Sequence, residues 1–152
     1  MSRAFVKEDD AVEVLTERPV SPHPNYVTTQ GLAQIDDALA RAQSEYAAAQ
    51  AAADRDALAS SARELHYWKQ RRATAELIPP PPDKQTVHFG STVTIKRVDG
   101  RRQTWRLVGE DEADPAHGTL SYVSPVAKAL AGRKAGEIVQ AGNSEAEIVA
   151  IE

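Results

Sequence analysis

The 152-residue sequence predicts an α+β protein: an antiparallel helical hairpin followed by a small antiparallel β domain with one short helix. Three observations carry that prediction. Two apolar seams of helical period stand back to back, separated only by Asp54-Arg55-Asp56. A run of four prolines, Pro79–Pro82, then stops any helix. After it the text turns β-rich, with Asp99-Gly100 as a hairpin turn.

The first seam runs Leu32, Ile35, Leu39, Ala42, Tyr46, Ala49, at spacings of three and four, with Thr28 or Thr29 available as a cap. The second runs Leu58, Ala62, Leu65, Trp68, Arg72, Ala75. Matched lengths and a short connection imply an antiparallel pair, with helices over about 29–53 and 56–78. The predicted parts are an irregular leader (1–27), the coiled-coil hairpin (28–78), a proline-rich linker (79–85) and a C-terminal domain (86–152). Within the leader, Pro19, Pro22 and Pro24 forbid a continuing helix, leaving a disordered segment or an ordered strap. In the C-terminal domain, strands are expected at Val87–Phe89, Val93–Lys96, Thr104–Val108, Thr119–Val123, Ile138–Val139 and Glu147–Ile151. Ser124 caps a short helix that opens with Pro125.

Composition excludes several functions. There are no cysteines, so disulfides, thiolate metal sites and cysteine nucleophiles are out. A formal charge of −4 disfavours nucleic-acid binding by the molecule as a whole, so any such contact must be local. No window approaches a membrane span and the first 20 residues lack an apolar signal core, so a cytoplasmic protein away from membranes is expected; a monomer is the expected state. The four histidines show no metal-ligand spacing, and no nucleophile motif arranges serine, histidine and acid. Gly109 and the acidic run Glu110-Asp111-Glu112-Ala113-Asp114 lack the ligand alternation of a calcium loop and read as a solvated turn. The chain is therefore not expected to be an enzyme.

Three blocks are more specific. Phe89-Gly90-Ser91-Thr92-Val93-Thr94-Ile95, Arg106-Leu107-Val108-Gly109-Glu110-Asp111-Glu112-Ala113-Asp114 and Val123-Ser124-Pro125-Val126-Ala127-Lys128-Ala129-Leu130 resemble the C-terminal domain of the GreA/GreB transcript-cleavage factors. Ser2–Asp10 looks like a GreB-type leader, and Thr28-Thr29-Gln30-Gly31-Leu32 like the family's entry to its coiled coil. The resemblance implies an FKBP-like C-terminal domain gripping the β′ subunit of bacterial RNA polymerase at the secondary channel, with Ser124 and Pro125 in the presented loop. It implies a hairpin pointing towards the catalytic Mg²⁺ and meeting the nascent RNA only indirectly.

The tip departs from the family's acidic segment. Ala51-Ala52-Ala53-Asp54-Arg55-Asp56 stands there, and both helices are shortened by about two turns. Asp54 and Asp56 could bracket a Mg²⁺ shared with the polymerase; equally, either can cap the second helix. Arg63, Lys69, Arg71 and Arg72 form a candidate basic face towards RNA, or an ordinary solvated face partly paired with Asp36, Asp37 and Glu45. Trp68 reads as packing. Two functions stay open: an elongation factor that stimulates cleavage of backtracked RNA, and a channel binder that competes with other factors without cleaving.

Overall fold

The computed structural model describes residues 17–152. The leader block Ser2–Asp10 lies outside them. The described residues divide into two compact units: 17–24 with 34–74, and Asn25–Ala33 with Ala75–Glu152.

The first unit holds all of the hairpin but the opening turn of its first helix. Helix α1 spans Thr29–Ala52 and α2 spans Arg55–Thr74. On α1 the seam is as expected: Ile35, Ala42 and Ala49 are buried, while Gln34, Asp36, Asp37 and Arg41 are exposed. The seam on α2 is rotated from the predicted one. Ser61, Tyr67 and Arg71 are buried, whereas Ala62 and Arg72 are exposed. Two interactions account for the rotation. Ser61 returns its hydroxyl to the carbonyls of Ala57 (2.6 Å) and Leu58 (3.2 Å), so it enters the interior without an unmet donor. The leader covers Tyr67: the Arg18 guanidinium stands 3.8 Å above its ring and donates to Glu64 at 2.8 Å. Arg18 thus makes this part of the leader the ordered strap. Trp68 packs edge-on to Tyr67 at 4.9 Å, in keeping with its reading as packing.

Helix α2 stops four residues short of the expected 78. The chain there leaves the helix to form β2 (Glu76–Leu77), parallel to β1 (Tyr26–Val27). Glu76 N–H donates to Asn25 and Ile78 N–H to Val27. Ile78 precedes a proline, which disfavours helical backbone there, and the strand pairing gives its N–H a partner. Pro79–Pro82 fall within the second unit.

The second unit is built on five strands: β3 (Thr92–Arg97), β4 (Arg102–Val108), β5 (Thr119–Ser121), β6 (Ile138–Ala141) and β7 (Ser144–Ile151). Their order is β5-β4-β3-β7-β6, so β3 is central. The pairs are antiparallel except β4 with β5, which is parallel because residues 109–118 cross over before β5 begins. Val93, Ile95, Leu107, Ala141 and Ile148 point to one face, where α3 (Pro125–Leu130) lays Ala127 and Leu130 into the same core. The period-two pattern legible in Val93 and Ile95 is thus the core face of the central strand. At the β3–β4 turn, Asp99 accepts from the backbone N–H of Arg101 and from its guanidinium, which holds the Asp99 carboxyl below its ordinary pKa.

Candidate functional site

The hairpin turn is a complete helix stop. Ala53 adopts φ 55°, with Asp54 N–H donating to Ala49 and Ala53 N–H to Gln50, the pairing of a left-handed helix cap. Glycine is the usual occupant, and a Cβ there costs about 1 kcal/mol. Ala53→Gly is therefore expected to stabilise the hairpin by roughly 0.5–1 kcal/mol, read as a raised thermal midpoint with unchanged helicity.

Asp54 then caps α2, its Oδ1 accepting from Ala57 N–H at 3.1 Å. Asp56 lies exposed in the first turn, where its charge favours the helix start. No group of three or more metal-ligating side chains occurs among the described residues. A hard cation such as Mg²⁺ can accept one or two protein carboxylates while keeping its waters. The two carboxylates therefore suit a shared ion in number only. Asp54 has one oxygen committed to the cap, and the other ligands must come from elsewhere.

The proposed basic face on α2 is reduced. Arg71 is 1% exposed, so it cannot present charge to solvent and is removed from that face. Its burial follows from the rotated seam, in which it lies 6.0 Å from the Tyr67 ring. Arg72 is tied to Asp36 at 2.6 Å, and Arg63 is half-buried. Lys69 is exposed; with Tyr46, Ala62, Leu65 and His66 it lines a shallow groove of about 230 Å³.

In the second unit, Ser124 is the N-cap of α3, its Oγ accepting from Ala127 N–H at 3.3 Å. Pro125 follows as the first helical residue and is exposed, its missing N–H costing nothing there. The pair is held from below by Ser124 N–H to Ser121 and Lys128 N–H to Ser124. Pro125 therefore presents a rigid, exposed ring on a capped turn.

One residue escaped the sequence reading. Glu112 sits in the acidic run taken for a solvated turn, yet its carboxylate is engaged at three donors. Oε1 accepts from the Thr28 hydroxyl at 2.6 Å, and Oε2 accepts from the N–H groups of Thr28 (3.1 Å) and Gly109 (3.2 Å). Thr28 Oγ1 in turn accepts from Gly31 N–H at 3.0 Å. In an ordinary capping box, an acid three residues after the cap returns to the cap's own N–H. Here that position is Gly31, and Glu112 supplies the acid from far along the chain. The signal was present in a negative form: a threonine cap with glycine where the acid belongs.

The family described as Transcription elongation factor, GreA/GreB, C-term matches residues 82–152. The transcription elongation factor GreA of Thermomicrobium roseum is 50% identical over 66 residues, 42% of each protein. The GreB of Neisseria meningitidis serogroup A is 35% identical over 96 residues, 59% of each. The chain thus spans about two fifths to three fifths of the length of these relatives. The GreA of Desulfovibrio desulfuricans matches more broadly, 32% identical over 138 residues, covering 74% of this chain and 82% of that one. A crystal structure of the GreA factor homolog 1 protein of Thermus thermophilus covers 86% of this chain and 99% of that one at 19% identity, with a TM-score of 0.43, a likeness too slight to argue from. The breadth of the Desulfovibrio desulfuricans match, which takes in residues of both the hairpin and the β domain, makes the chain a member of the GreA/GreB family.

Proposed function

We propose that this chain is a bacterial transcription elongation factor that binds cytoplasmic RNA polymerase at its secondary channel. Its C-terminal unit docks on the β′ subunit through the Ser124–Pro125 turn, and the hairpin enters the channel near the nascent RNA. The observation carrying this reading is the exposed Pro125 on a capped turn, inside the region that matches the GreA/GreB C-terminal family. The chain performs no chemistry of its own; at most it assists RNA cleavage by the polymerase.

At the tip, Asp56 and the uncommitted Oδ2 of Asp54 would hold a Mg²⁺ shared with the polymerase, and such an ion would supply charge stabilisation for phosphoryl transfer. The role of Asp54 as a cap favours the second reading, in which the factor occupies the channel and competes with other factors without cleaving.

Backtracked elongation complexes carrying end-labelled RNA test both. The expected result is displacement of a fluorescent GreA factor with little shortening of the transcript. Asp54→Asn with Asp56→Asn should leave displacement within about twofold, because asparagine caps nearly as well as aspartate. Rapid shortening by the parent that the double variant loses would establish the metal-recruiting tip instead. Failure to displace GreA would overturn polymerase docking.

A further inference from the structure

One rung of the C-terminal sheet sets exposed charges of both signs beside an exposed isoleucine. The strand registers set Arg102 opposite Lys96, Lys96 opposite Glu147, and Glu147 opposite Ile138. Directly opposed residues share a face, so these four side chains cross four strands on the face away from α3, over about 14 Å. All four are exposed, Ile138 at 65%. Lys96 and Arg102 form a like-charge cross-strand pair, which destabilises a sheet, whereas Lys96 and Glu147 are an opposite-charge pair that closes no salt bridge among the described residues. None of Lys96, Arg102, Glu145 and Glu147 has an ion-pair partner among the described residues. Beside the rung stands Val98, 83% exposed, and Val98, Ile138, Lys96, Glu145 and Glu147 line a groove of about 170 Å³.

We propose that this face is a self-association surface, taken up by the same face of a second copy of the chain. The charge order decides the occupant. Across the sheet it reads positive, positive, negative, apolar. A twofold axis parallel to the strands reverses that order and sets Lys96 of each copy against Glu147 of the other. Ile138 then meets the aliphatic stem of Arg102. The two cations and two carboxylates sum to zero, so stacking two copies meets no net repulsion. A nucleic-acid backbone or a wholly acidic peptide would meet Glu145 and Glu147 beside the cations it sought. The axis sets β4, β3, β7 and β6 against the same four strands, which at about 4.8 Å apart and some five residues long cover roughly 300 Å² per copy. That is well under half of the roughly 800 Å² per partner of a stable pair, so the association is weak and reversible.

Sedimentation velocity of the full chain tests this, from about 10 to about 500 µM, at about 20 mM and about 500 mM salt. At low salt the weight-average sedimentation coefficient should rise with concentration, and high salt should suppress the rise. Lys96→Glu and Glu147→Lys should each weaken association about tenfold or more, and the two together should restore it to within about threefold of the parent. Ile138→Ser, at an exposed position and so harmless to the fold, should also weaken it. Circular dichroism melts identify any variant that fails to fold, and Ile138→Ser then decides in its place. A monomer at every concentration in low salt overturns the proposal. So do single reversals that associate like the parent, or a double swap that fails to restore, since that result assigns the face to a different partner.

Discussion

Gly31→Ala should destabilise the protein, against the ordinary rule that alanine improves a helix interior by about 1 kcal/mol. A Cβ built on Gly31 would stand within the Glu112 carboxylate. Either the acid must leave Thr28 or the first turn of α1 must shift. Glu112→Ala removes the same three hydrogen bonds outright. Hydrogen bonds to a charged group contribute about 1.5–3 kcal/mol each when buried, and Glu112 is half-buried, so a total of roughly 2–4 kcal/mol is expected. For a protein of this size that lowers the melting temperature by about 10 °C. Coupling makes the test sharp. With Glu112→Ala already present, the obstacle is gone, and Gly31→Ala should become neutral or stabilising. Guanidinium denaturation of the four chains should give an interaction energy of about 2 kcal/mol between these positions. Additive effects would mean that Gly31 is required for a reason other than Glu112.

How much of this was legible beforehand follows the range of the interactions. The α1 seam, a cap at Thr28 or Thr29, the Ser124 cap, the Asp99-Gly100 turn and the alternation in β3 are local patterns, each legible in residues close to one another. The rotation of α2 was not legible. It depends on Arg18 crossing some fifty residues of chain to cover Tyr67, and on Ser61 satisfying its own hydroxyl. Extending the helical spacing from Leu58 therefore chose Ala62 and Arg72 where the fold buries Ser61 and Arg71. The same misphasing placed Arg71 on an exposed basic face. The end of α2 was read as 78 because propensity continues past Thr74; the parallel pairing with Tyr26–Val27 is a long-range competitor that no window contains. Glu112 was missed for a related reason. An acid in a run of acids looks solvated until its partner, Thr28, is known.

The proposed docking turn at Ser124–Pro125 should separate binding from stability. Ser124 caps α3, so replacing it with alanine would cost about 1 kcal/mol of stability and confuse any loss of affinity. Aspartate caps as well as serine and adds a charge at the surface, while alanine in place of Pro125 keeps helical backbone and removes the rigid ring. The variant carrying Ser124→Asp and Pro125→Ala is therefore expected to melt within a few degrees of the parent. If the turn seats on the polymerase, the added carboxylate must be desolvated against its partner, and the proline contact is lost. Affinity should then fall at least tenfold, about 1.4 kcal/mol, measured by competition with a fluorescent GreA factor on core polymerase. A charge effect alone would show as a loss that disappears at high salt. The loss from the missing ring should survive salt, because it removes shape rather than charge. Should the double variant bind as tightly as the parent while fully folded, the docking surface lies elsewhere on the C-terminal unit.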